Sequence, residues 1–229
     1  MSYNGAMISV KWFGQACIVI KQQQKDKQDA LLVLDPYGKE IGLSLPALTA
    51  DVVTVSHDHS DHNNISGIAG KPFVINEPGE YEVAGFSIQA ISSFHDAEEG
   101  KKRGNNLIMR VQTPEYAFAH FGDFGQQELT PQQLEELGDI DIAFVPVGGF
   151  FTVDGRQAAK IINQLEPSVA IPIHYKIPGL AIEQLAGPEE FFEAFGQKPA
   201  AMQTEWKIRP ADVPSEGIAI VQLQAQSKA

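Results

Sequence analysis

Three of the chain's six histidines fall inside VSHDHSDHNN, directly after the apolar run VVTVS. His57, His59, Asp61 and His62 thereby crowd imidazole and carboxylate donors into one short segment. On a turn leaving a strand, His57 and His59 can face one side while Asp61 and His62 turn towards a second position. Nitrogen and carboxylate donors together suit zinc, manganese or iron, whereas calcium takes oxygen ligands. The blander reading is three unrelated surface histidines. The ligand types and their spacing weigh against it, and the chemistry to expect is metal binding.

The elements that must position these residues are mostly strands. The β-rich runs ISVKWFGQACIVI and ALLVLD flank a polar run, residues 21–29, that reads as a hairpin loop. Further strand-like runs begin at Val52, Pro72, Phe86, Asn106, Tyr116, Ile142, Val169 and Gly217. Helices are fewer. Residues 130–137 open on a Thr-Pro cap signal with Pro131 at the first helical position. Residues 154–165 carry Ala158, Ile161, Ile162 and Leu165 at helical spacing, and Pro167 stops them. Residues 188–195 make a third. Strands dominate the first half, while helices intervene at the motif loops and late in the chain. This predicts an α/β (α+β) fold: two mixed β-sheets packed face to face with outer helices, in four layers.

At 229 residues and 25.0 kDa the chain is long for one domain and short for two, and a single domain spanning 1–229 is expected. Its 43% hydrophobic content supports a substantial core. No run reaches the ~20 apolar residues that span a bilayer. The segment MSYNGAMISVKW lacks both a basic region and an apolar one, so a cytoplasmic location without membrane attachment is expected. The lone cysteine, Cys17, reads as a small apolar strand residue. A net charge of −12 argues against nucleic-acid partners and leaves a small-molecule substrate, with a homo-oligomer compatible.

His57, Asp58, His59, Ser60, Asp61 and His62 match the H-x-H-x-D-H signature of metallo-β-lactamase-fold hydrolases, which the chain resembles. The family's other motifs follow in order. Asp35 in LVLDPY resembles the first-motif aspartate, His95 in ISSFHD the third-motif histidine, Asp123 in AHFGDFG the bridging carboxylate, and His174 in AIPIHY the last ligand. The stretch from VPVGGFF to IPIHY is similar to small zinc-dependent hydrolases related to ascorbate-6-phosphate lactonase. The resemblance runs from about Ile8 to beyond His174. It implies a four-layer αββα sandwich with one metal on His57, His59, His95 and Asp123. A second metal would sit on Asp61, His62, Asp123 and His174. Two divalent ions, zinc first with manganese or iron as alternatives, would acidify a bridging water to a hydroxide nucleophile and polarise the scissile bond. Asp35, Asp61 and His174 are the implied catalytic group, with Asp35 orienting a ligand histidine; as a mere turn residue, Asp35 would only precede Pro36.

Within the family, no cysteine ligand is present, and His59 stands where flavodiiron proteins typically carry glutamate. The stretch from Asp123 to His174 is too short for a nuclease clamp insertion. The expected activity is hydrolysis of a small ester-like metabolite, a lactone or phosphoester; a non-hydrolytic or redox metal protein is the alternative. His120 remains over, and a lone strand histidine is more often packed and hydrogen-bonded than functional. Gln15 departs from related sequences, which often read Gly-His-Ala where this chain reads Gly14, Gln15, Ala16. The basic run Lys101, Lys102 and Arg103 follows His95 between Gly100 and Gly104, which would let the loop swing. It could hold an anionic substrate, although charge runs are usually solvated.

Overall fold

The computed structural model describes residues 7–24, 28–197 and 201–227. In chain order its strands begin with β1 (Ile8–Trp12), β2 (Ile18–Gln22), β3 (Ala30–Leu34), β4 (Leu48–Thr49), β5 (Val52–Thr54), β6 (Ile68–Ala69) and β7 (Phe73–Ile75). Next come β8 (Gly79–Val83), β9 (Phe86–Phe94), β10 (Asn105–Gln112), β11 (Ala117–His120), α1 (Pro131–Leu137), β12 (Ile142–Pro146) and α2 (Gly155–Leu165). The chain closes with β13 (Val169–Ile173), α3 (Glu189–Phe195), β14 (Trp206–Lys207) and β15 (Ala219–Ile220).

Successive strand side chains point to opposite faces, and the core follows that alternation. Ile18, Ile20, Leu32, Leu34 and Val52 face the large inner core, whereas Val19, Val33 and Val53 face a smaller cluster outside. The first sheet has the order β14-β1-β2-β3-β5-β7, the second β15-β13-β12-β11-β10-β9-β8. Both are mixed. Strands β1 to β3 pair antiparallel and β3, β5 and β7 parallel. In the second sheet β8 to β11 are antiparallel, and β11, β12, β13 and β15 parallel.

The two-sheet sandwich expected from the pattern is present, with unequal outer layers. Strand β12 is buried along its whole length, and Ala158, Ile161 and Ile162 of α2 join the core beside it. The first sheet's outer face is instead covered by Tyr37, Ile41, Leu43, Ile68, Leu180 and Leu185. Single-turn 3-10 helices at Lys39–Ile41 and Ile65–Gly67 and the β4–β6 pair lie in this part of the chain. Pro36, Gly38, Gly42 and Pro46 explain why no longer helix forms between residues 36 and 46.

Local signals set the helices: Thr130 and Gln133 form a capping box at α1, and Asp154 caps α2. The β-rich run ISVKWFGQACIVI divides into β1 and β2 at a tight turn over 13–17. There Phe13 N–H donates to Cys17 O and Cys17 N–H to Gly14 O. The expected strand at Gly217 is reduced to Ala219–Ile220. The hairpin loop joins β2 to β3 in antiparallel register, with residues 25–27 outside the described part. Among the described residues no helix is long and apolar enough to cross a membrane.

Candidate metal centre

Each motif leaves a strand at its carboxyl end: Asp35 after β3, the 57–62 segment after β5, His95 after β9, Asp123 after β11 and His174 after β13. Strand β9 is antiparallel to β10, which is antiparallel to β11, so β9 and β11 run the same way. Carboxyl ends therefore gather at one edge of the sandwich, where ligands of α/β sheets bind. Asp35, His174 and Gln15 take left-handed φ values of 47°, 51° and 46°. That conformation costs a non-glycine residue about 1–2 kcal/mol and turns the chain sharply at the strand end.

The donors converge in two groups, His57 with His59 and His95, and Asp61 with His62, Asp123 and His174. Within each group the donor atoms lie within 4.8 Å of one another. Asp123 faces both. Its Oδ2 is 3.2 Å from His95 Nε2 and 3.9 Å from His57 Nε2, while Oδ1 is 3.1 Å from both His62 Nε2 and His174 Nε2. Donors at ~2.0–2.1 Å from a tetrahedral ion stand about 3.3 Å apart, so these separations suit a cation between them. Apart from the 3.1 Å approaches of His62 Nε2 and His174 Nε2 to Asp123 Oδ1, both His62 Nε2 and Asp123 Oδ1 are buried without a hydrogen-bond partner. Buried polar atoms are rarely left so, and a cation would satisfy both.

A network of fully buried groups holds the donors. Asp35 Oδ2 faces His62 Nδ1 at 2.9 Å and accepts from Ser56 Oγ at 2.6 Å, while Oδ1 accepts from Ser56 N–H. An ionised carboxylate only accepts, so His62 Nδ1 carries the proton and Nε2 is turned towards Asp123. Ser56 Oγ also lies 3.0 Å from His57 Nδ1, so Asp35 supports both groups. The Asp123 turn is fixed by Asn106, whose Oδ1 accepts from Asp123 N–H and whose Nδ2 donates to Phe121 O. Neither Ser56 nor Asn106 stood out in the sequence; the only signals were a serine next to His57 and an asparagine opening an apolar strand. Gly122 and Gly125 let this turn approach. A Cβ on Gly122 would come within 2.5 Å of Ser56 Cβ, and one on Gly125 within 2.4 Å of the His95 backbone.

Electrostatics prepares these groups for cations. Burial pushes the His57 imidazole down to about 3, with His62 adding to the shift. Burial lowers His59 and His174 too. His62 goes the other way: burial opposes its charge, but Asp123, Asp35 and Asp61 together hold its proton well above the usual histidine range. Against burial, His174 and His62 keep the Asp123 carboxyl far below the ordinary carboxylate value. Asp35 and Asp61 are likewise depressed against burial, chiefly by His62. At neutral pH ionised carboxylates and neutral His57, His59 and His174 are the forms that ligate metals.

A cavity of about 450 Å³ opens over His59, His95, Asp61 and Asp123, with Ile41 and Phe151 in its walls. Arg103 lines it, lies 4.8 Å from the Phe151 ring centroid and donates to Phe150 O. Lys101 and Lys102 do not line it; they are exposed and pair with Glu99 and Glu98. The Asp96 carboxylate accepts from the backbone N–H groups of Glu98, Gly100, Lys102 and Arg103, gathering the loop around itself. His120 is packed and hydrogen-bonded: its Nε2 donates to Ala16 O, and Gly122 N–H donates to its Nδ1. Gln15 is drawn in, with Nε2 donating to Asp61 Oδ2 at 3.1 Å.

Comparison with known proteins agrees with this geometry. Residues 9–174 match the model of the beta-lactamase superfamily domain. A UPF0173 metal-dependent hydrolase of Pyrococcus horikoshii is 30% identical over 224 residues, 84% of this chain and 94% of that protein. A crystal structure from Thermotoga maritima, described as that of a candidate zinc-dependent hydrolase of the metallo-beta-lactamase superfamily, superposes with a TM-score of 0.75. It is 30% identical and covers 95% of this chain and 100% of its own. Igni18, a metallo hydrolase of Ignicoccus hospitalis, shares the fold with a TM-score of 0.63 at 19% identity, over 89% of this chain and 100% of its own. With the motif residues gathered at one sheet edge and relatives matched along most of its length, the chain belongs to the UPF0173 metal-dependent hydrolases of the beta-lactamase superfamily.

Proposed function

We propose that the chain holds two divalent cations and hydrolyses a small ester-like metabolite, a lactone or a phosphoester. One cation would lie on His57, His59, His95 and Asp123, the other on Asp61, His62, Asp123 and His174. The observation that carries this reading is the Asp123 carboxylate, which turns one oxygen towards each donor group. Zinc is the first expectation for nitrogen and carboxylate donors without sulfur, with manganese or iron as alternatives. Bound there, such ions supply Lewis acidity and an acidified water.

The chain's own residues do the holding and orienting. Asp35 sets the ring orientation of His62 and, through Ser56, of His57. Asp61 and His174 present donor atoms to the second position, which is the catalytic contribution proposed for them. A cavity of about 450 Å³ suits a small substrate rather than a polymer. The net charge of −12 likewise disfavours nucleic acid. Arg103 is the proposed anion contact, since it lines the cavity and a guanidinium can meet a carboxylate or phosphate with two N–H groups.

Elemental analysis of protein purified without chelator, followed by lactone, thioester, phosphomonoester and phosphodiester substrates, tests the proposal. About two metals per chain and chelator-sensitive turnover of a lactone or phosphoester are expected. Full turnover by metal-stripped protein, or a single metal at saturation, would overturn it.

A further inference from the structure

Gln15 sits at the tip of the β1–β2 hairpin, has no solvent exposure, and belongs to none of the metal-ligand motifs. Its backbone carbonyl accepts from His174 N–H at 3.0 Å and from the Trp12 indole N–H at 2.8 Å. Its side-chain Nε2 donates to Asp61 Oδ2 at 3.1 Å and lies 3.2 Å from His174 Nε2. A carboxylate can only accept, so the amide nitrogen must face Asp61. That leaves Oε1 buried without a hydrogen-bond partner. The hydrogen bonds of Gln15 therefore reach one donor group, Asp61 and His174, and none reaches His57, His59 or His95.

We propose that Gln15 is a positioning residue for the Asp61–His174 half of the site, holding the Asp61 carboxylate and setting that half's cation affinity separately from the other half. The proposal rests on the two-cation reading above. Asp61 is the one member of its group that is not buried, with a side-chain exposure of 20%, and a carboxylate near solvent needs an anchor to hold one oxygen in place. Once His174 Nε2 gives its lone pair to a cation, Asp61 is the acceptor left for the Gln15 amide. A neutral donor fixes the carboxylate without adding a charge beside the cation. The unpartnered Oε1 lies buried in the same half, where a cation-bound group could donate to it.

The test is a cobalt(II) titration of metal-stripped protein, followed by visible absorption, for wild type, Gln15→Asn and Gln15→Leu. Asparagine tolerates the left-handed φ of 46° at this turn, so a purely structural role would leave Gln15→Asn like wild type. If Gln15 positions Asp61, the asparagine amide is one methylene short, and one cobalt-binding phase weakens about tenfold or more while the other holds. Gln15→Leu should show the same one-sided loss, with far-UV circular dichroism and the thermal midpoint reporting on the fold. Adding His57→Ala, which removes a donor from the opposite half, should leave the Gln15 effect in place. Equal weakening of both phases, or unchanged affinity in Gln15→Asn, overturns the positioning role. A wild type that binds one cobalt defeats the two-cation reading instead, and the asparagine variant still decides whether Gln15 acts on the ion that remains.

Discussion

His57, His59 and His95 bring only imidazoles to their half of the site, whereas the other half mixes His62 and His174 with the carboxylates of Asp61 and Asp123. The imidazole half opens to the cavity through the exposed His59 ring. In the carboxylate half His62, Asp123 and His174 are buried. Burying the Asp123 carboxylate is costly unless it is paired, and here the His62 imidazole, held protonated by Asp123, Asp35 and Asp61, compensates it. The imidazole half needs no such compensation, because burial keeps His57 neutral. On the two-cation proposal, one half would exchange a proton for a cation, and the other would take its cation directly.

The largest expected effect erases the contrast by removing what the halves share. Asp123→Asn keeps the shape but takes away the charge both groups face, so metal affinity at both positions and turnover should fall by about a hundredfold or more. Full activity with two bound metals in that variant would refute the bridging role, and Asp123 would then be a turn residue between two glycines.

A second variant separates the halves. His57→Ala combined with His59→Ala should lower the stoichiometry from about two metals to about one, the carboxylate half keeping its own donors. Elemental analysis decides, and an unchanged stoichiometry would sink the ligand assignment.

Proton counting sharpens the contrast further. Since His62 is protonated without metal and must be neutral to ligate, cation uptake by the carboxylate half at pH 7 should release about one proton per chain. Its affinity should rise with pH up to the His62 value, by up to about tenfold per unit. His57 and His59 should add far less to the pH dependence above neutrality, as burial already lowers both below the usual histidine range. Calorimetry in buffers of different ionisation enthalpy measures the release; no proton released would contradict the charged His62.

The smallest effect concerns substrate entering past the exposed half. Arg103→Ser should raise KM for an anionic substrate several-fold with kcat and metal content nearly unchanged. Lys101→Ser with Lys102→Ser should do little, because those cations already pair with Glu99 and Glu98 at the surface. Equal effects of both changes would return Arg103 to the solvated loop.

Donor types, their order along the chain and most strands and helices were legible in the sequence because these signals are local. Unbroken runs of Val and Leu mark β3 and β5, Thr130 with Pro131 opens α1, and the 57–62 segment carries its donors within a few positions. The short strands β8 and β14 escaped. Glu80 and Glu82 give β8 a polar edge, and the two residues of β14 show no period. What only the tertiary structure decided is which distant residues share one donor atom. Gln15 meets His174 across 159 positions, Asn106 holds the Asp123 turn across 17, and Arg103 parts from Lys101 and Lys102 because Phe150 and Phe151 come from another loop. A hydrogen bond or ring contact depends on positions to within a fraction of an ångström, and no local pattern encodes that; packing two sheets with their strand ends at one edge does.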